Sequence, residues 1–148
     1  MIGNKNIPIT ETYQPNGLKY LALGDSYTIG EGEKAEYTYP FQVEEMLEKE
    51  GFGFSTIKVI AKTGWTSSEL INAVRQENIG QASFDIASLL IGVNNQYQGQ
   101  TLDQFKKELI ELIELTGKVF AVLLTTEIAS LLELMIAGGS DHQFVSGA

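Results

Sequence analysis

Cysteine is absent from the 148 residues, and with it go disulfides, thiol nucleophiles and thiolate metal sites. A single histidine, His142, leaves no imidazole cluster for a transition metal. The acids are scattered as well, so no metal and no cofactor is expected. Basic residues are scarce: 10 Lys and Arg stand against 19 Asp and Glu, a formal charge of −9. Phosphate backbones are bound by clustered cations, so a nucleic-acid partner is not expected and a neutral small molecule is favoured. Prolines number only three, and no repeat or Pro/Gly/Ser linker divides the chain. One globular domain with a single core fits these limits.

Long apolar runs are also missing. Met1 to Gly17 is a polar lead-in without an apolar h-region, which makes the cytoplasm the expected location. The most apolar stretch, Val119 to Ile136, is interrupted by Glu127 and Glu133. An acid at the centre of a bilayer span costs about 3 kcal/mol, so this stretch reads as buried protein and not as a membrane span.

What is present alternates. Short runs at Leu18 to Leu23, Ile57 to Ala61, Ile86 to Gly92 and Val119 to Leu124 read as strands, the first buried and the third long enough to be central. Between them lie helical patterns. Pro40 suits a first turn, with Val43, Met46 and Leu47 as the apolar face and Glu44, Glu45, Glu48 and Glu50 as a solvated one. Thr66 and Glu69 have capping-box spacing ahead of Leu70, Ile71, Ala73 and Val74. Thr101 and Gln104 repeat that spacing ahead of Leu102, Phe105, Leu109, Leu112 and Ile113. Ile128 to Ala137 reads as a last helix ending at Gly138-Gly139. Strands alternating with amphipathic helices predict a parallel sheet covered on both faces, a three-layer α/β/α sandwich.

Open sheets of this kind bind ligands beyond the carboxyl ends of their strands. The first such loop is Gly24-Asp25-Ser26-Tyr27-Thr28. Ser26 there can project its hydroxyl into the crevice, or can serve as a turn or helix cap. Tyr27 and Thr28 can shape a pocket or pack under the loop. The second loop is Lys62-Thr63-Gly64-Trp65-Thr66, where Gly64 lets its N–H approach a ligand closely or simply turns the chain. Trp65 can wall a site or cover the following helix. The third is Gly92-Val93-Asn94-Asn95-Gln96, with Asn94 a donor to an oxyanion or a bridge between loops.

Three short motifs in order carry a resemblance. Gly24-Asp25-Ser26, Gly64 and Gly92-Val93-Asn94 resemble the first three signature blocks of the SGNH (GDSL) hydrolases, over about residues 18–122. The resemblance implies a flavodoxin-like parallel sheet and a serine hydrolase of the esterase, lipase or deacetylase class. It makes Ser26 the nucleophile, and makes the N–H groups of Ser26 and Gly64 with the Asn94 amide the oxyanion hole. Its substrate is a small-molecule ester. Asn95 stands where many members have Asp.

The fourth block does not follow. The family places its base in an Asp-x-x-His block near the C-terminus, whereas the residue three before His142 is Gly139. His142 lies in a polar tail, and a solvated side chain is the expectation for it rather than a base. Sequence after Val122 changes character, as a frameshift or a truncated gene would leave it. The expected organisation is therefore a lead-in over 1–17, an SGNH-like domain over 18–125, C-terminally incomplete, and an atypical segment over 126–148. Impaired catalysis is expected, the alternative being an inactive binding domain or a non-functional fragment.

One rival motif is set aside. Gly30-Glu31-Gly32-Glu33-Lys34-Ala35 fits a dinucleotide fingerprint formally, but two glutamates stand where a pyrophosphate needs positive potential.

Overall fold

A computed structural model of the chain describes residues 17–79, 83–117, 121–124 and 144–146. The apolar runs become strands because continuous β-rich segments can be buried on both faces of a parallel sheet. They are β1 (Leu18–Gly24), β2 (Phe54–Ala61), β3 (Ile86–Leu90) and β4 (Ala121–Leu124). A fifth, β5 (Phe144–Ser146), pairs parallel with β4, Val122 opposite Phe144. Three residues are too few for a period to register, so β5 was not among the expected strands. The expected helix at 128–137, with Gly138 and Gly139, lies outside the described residues.

The strand order is β2-β1-β3-β4-β5, and every pairing is parallel. That is the flavodoxin-like order, in which the chain first moves outward from β1 and then crosses back past it. The switch point falls between β1 and β3, where Gly24 pairs with Leu90. The three-layer expectation holds.

Alternate strand residues face opposite sides. Leu21, Leu23, Ala87 and Leu89 face the side covered by α3 (Ser67–Gln76) and α5 (Leu102–Leu115). There Leu70, Ile71, Val74, Phe105, Leu109 and Leu112 complete one apolar core. Glu69 starts α3 as its spacing predicts, reaching back to accept the Thr66 N–H at 2.8 Å. Only half of the second box forms: Thr101 Oγ1 caps the Gln104 N–H at 3.3 Å, while the Gln104 side chain turns to Glu108. Leu102, expected on the apolar face of α5, is exposed, because it stands at the helix's first position ahead of the packed stripe.

The opposite face carries α2 (Tyr39–Lys49), with Pro40 in its first turn. The apolar face of α2 differs from the expected one: Val43 and Leu47 are half-buried, and Met46 is 67% exposed. The helix packs against β2, and its first residue, Tyr39, reaches Ser88 of β3 through its hydroxyl. Two short helices, α1 (Ser26–Ile29) and α4 (Val93–Tyr97), stand at the carboxyl ends of β1 and β3. Among the described residues no helix is long and apolar enough to cross a membrane.

Candidate active site

The chain leaves β1 through Gly24 and enters α1 at once. A Cβ on Gly24 would lie 2.5 Å from the Leu90 carbonyl oxygen and would also overlap Thr28, so only glycine lets the turn fold this tightly against β3. Asp25 caps α1, its Oδ1 accepting from the Tyr27 N–H at 3.0 Å. The cap is thus Asp25, and the hydroxyl of Ser26, half-exposed at the first helical position, is not taken up by the helix end. Thr28 is buried beneath the turn and Tyr27 is 65% exposed above it, so of this pair only Thr28 packs under the loop.

The floor of this turn is a chain of hydroxyls. Ser88 on β3 bonds Tyr20 at 2.8 Å and Tyr39 at 2.9 Å, and the Tyr39 hydroxyl is 3.4 Å from Thr28 Oγ1. All four side chains are largely buried, and burial pushes both tyrosine hydroxyls up from their ordinary range. They remain neutral donors and acceptors at any ordinary pH. Sequence reasoning missed Tyr20, Tyr39 and Ser88. Two polar residues within buried strands were the available signal, since a buried hydroxyl demands a partner.

Gly64 sits in a turn closed by the Trp65 N–H on the Lys62 carbonyl at 3.2 Å. Its φ of +81° is the left-handed conformation that glycine adopts without strain, and no atom lies within 4 Å of where its Cβ would be. Space is therefore open in front of this backbone. Trp65 is half-buried against the core beside α3, the helix-covering role of its two expected ones.

Asn94 ties the three loops together. Its Nδ2 donates to the Trp65 carbonyl at 2.9 Å and lies 3.5 Å from Asp25 Oδ2. A carbonyl oxygen only accepts, which fixes the amide nitrogen on this side. The side chain after β3 thus touches the residue following Gly64 and the residue preceding Ser26. Asp25 is 1% exposed, and burial pushes its carboxyl up although the Tyr27 N–H pulls the other way. Asn95 faces away into the protein, bonded to Ser67. His142, with Asp141, lies outside the described residues.

A serine at the switch point, a glycine-bearing turn and a loop-bridging asparagine occur together at successive strand ends. A family model described as GDSL-like lipase/acylhydrolase matches residues 22–137. The chain belongs to this family. Solved structures agree on the fold. One is AlinE4, an SGNH-hydrolase family esterase, with 20% identity, a TM-score of 0.70, and coverage of 88% of this chain and 76% of that one. A family 3 carbohydrate esterase from Clostridium thermocellum has 16% identity and a TM-score of 0.70, covering 88% of this chain and 78% of its own. An acetylxylan esterase from Geobacillus stearothermophilus has 21% identity and a TM-score of 0.61, covering 87% and 75%. No curated protein matches the chain in sequence. The GDSL match includes all three loops described above and continues past Val122.

Proposed function

We propose that this chain is a serine hydrolase of small-molecule esters that works through an acyl intermediate on Ser26. The observation that carries the reading is the Asn94 amide, held between the loops of Ser26 and Gly64 by the Trp65 carbonyl and Asp25. In this reading Ser26 Oγ bonds to the ester carbonyl carbon, and charge develops on the carbonyl oxygen. The N–H groups of Ser26 and Gly64 and one Asn94 amide proton receive that charge. Asn94 Nδ2 donates to the Trp65 carbonyl at 2.9 Å and to Asp25 Oδ2 at a long 3.5 Å, and in this reading the proton of the longer bond turns to the developing oxyanion. The carbon–oxygen bond to the alcohol then breaks, the alcohol leaves with a proton, and water releases the acid and restores Ser26.

The Ser26 proton needs an acceptor, because a neutral hydroxyl is a weak nucleophile. The family's Asp-x-x-His block has no counterpart here, Gly139 standing three before His142. The chain as read keeps the oxyanion donors without a base in the family's place, and its turnover is slow. Solvent takes the proton in that case, and His142→Ala leaves the rate unchanged.

Hydrolysis of short-chain nitrophenyl esters tests this. The expected result is weak turnover that Ser26→Ala abolishes and Asn94→Ala lowers by about a hundredfold or more. Turnover that survives Ser26→Ala contradicts it. The missing block favours one second reading, a domain that binds an acyl or carbohydrate ligand without cleaving it. Absence of any Ser26-dependent turnover, together with saturable ester binding, selects that reading.

A further inference from the structure

Asn95 is 3% exposed and uses its whole amide. Its Oδ1 accepts the Ser67 N–H at 3.0 Å, and its Nδ2 donates to Ser67 Oγ at 2.6 Å and to Gln100 Oε1. Ser67 Oγ gives its single proton to Glu108 Oε2 on α5, so toward Asn95 it can only accept. Glu108 also accepts from Gln100 at 2.9 Å and from Gln104 at 3.0 Å. Burial pushes the Glu108 carboxyl up, and these donors outweigh it and hold the group below its ordinary range. The network joins the first turn of α3, the end of the α4 loop and the second turn of α5, directly behind Asn94.

We infer that Asn95 is the positioning residue for the Asn94 donor and that its amide is matched to the Glu108 carboxylate. One proton on Ser67 serves one carboxylate. An acid at 95 would compete with Glu108 for that proton, lose the bond to Gln100 Oε1 and set two anions around one hydroxyl. The charges nearby do not relieve this. Glu69 is bonded to Thr66 beside Ser67, and Asp25 lies against Asn94. Arg75 pairs with Glu111 farther along the same two helices. Lys106 and Lys107, just before Glu108, make no ion pair among the described residues. An amide rather than an acid at 95 thus fits the partners that surround it in this chain. The inference rests on Asn94 acting as the oxyanion donor.

The test compares the full chain with Asn95→Asp, Glu108→Gln and the double variant. Thermal melts at pH 5 and pH 8 are read together with hydrogen exchange of the Asn94 side-chain amide by NMR. Asn95→Asp should lower Tm at pH 8 by about 5–10 °C, with a smaller deficit at pH 5 as one carboxyl is protonated. It should also speed Asn94 exchange, and Glu108→Gln should restore most of both. An Asn95→Asp chain that fails to fold, with a double variant that does fold, supports the pairing equally. Wild-type stability in Asn95→Asp at pH 8, or a defect that Glu108→Gln does not relieve, overturns it. A lowered Tm with unchanged Asn94 exchange overturns the positioning role. None of these readouts needs turnover, so failure of the ester assay and failure of this pairing are separate results.

Discussion

The two faces of the sheet are held by different chemistry. Toward α3 and α5 the contacts are aliphatic and aromatic, from Leu21 and Leu23 through Leu70 and Val74 to Leu109 and Leu112. Toward α2 the Ser88 hydroxyl joins those of Tyr20 and Tyr39, and α2 leaves Met46 and the nearby Phe52 exposed. Burial of apolar area is strong and undirected, whereas a hydroxyl chain contributes less but fixes geometry. The Ser26 turn rests on the second kind of face: Thr28 joins the same chain one helical turn after Asp25. The core face supplies stability, and the hydroxyl face holds Ser26 where it is.

The comparison breaks most sharply at Leu109, which is fully buried in the core. Leu109→Ala should cost about 2–5 kcal/mol in urea unfolding. Ser88→Ala, across the sheet, leaves two tyrosine hydroxyls without their shared partner and should cost about 1–3 kcal/mol by the same measurement. If Ser88→Ala is the more damaging of the two, the division between the faces is wrong.

A smaller effect belongs to Asp25. Its carboxyl is raised above the ordinary 3.8 by burial, so the folded state binds the proton more tightly than the unfolded chain. Stability therefore falls as pH rises from about 4 through the raised folded value, and the full penalty is present above it. Asn caps a helix about as well as Asp. Asp25→Asn should flatten this part of the Tm–pH profile and gain on the wild type as pH rises; an unchanged slope would sink the assignment. Least of all, Met46→Ala should change stability by less than about 0.5 kcal/mol, although Met46 looks apolar-facing in a helical plot.

The legible part of the fold was the part built on periodicity. Leu70, Ile71 and Val74 announced the buried face of α3, and the Thr66–Glu69 spacing announced its start. Strands β1 and β3 were visible as apolar runs because a parallel sheet buries both of their faces, and the edge strand β2 was visible only over its more apolar second half. Of the candidate site, Ser26 and Asn94 were visible as polar residues, and Gly64 as a glycine, placed after those runs. Position in the loop revealed them, but not the contacts of Asn94 with Trp65 and Asp25, which depend on two crossovers of the chain. Tyr20 and Ser88 were hidden for a related reason: 68 residues separate them, and only parallel pairing of β1 with β3 brings them together. Met46 misled because it sits at helical spacing from Val43, yet Val43 and Leu47 are half-buried and Met46 is left in solvent. The Ser67–Asn95–Glu108 network joins three segments, and no local pattern marks it.

The central claim is that an acyl group is carried on Ser26, and it can be read directly. The chain is mixed briefly with an activated acetate ester, quenched in acid, and its peptides are weighed by mass spectrometry. Quenching within seconds traps the intermediate that the proposed reading requires. The account predicts one acetyl group on the peptide containing Ser26, absent from Ser26→Ala and much reduced in Asn94→Ala. An acetyl group found only elsewhere, or equally in Ser26→Ala, would contradict it.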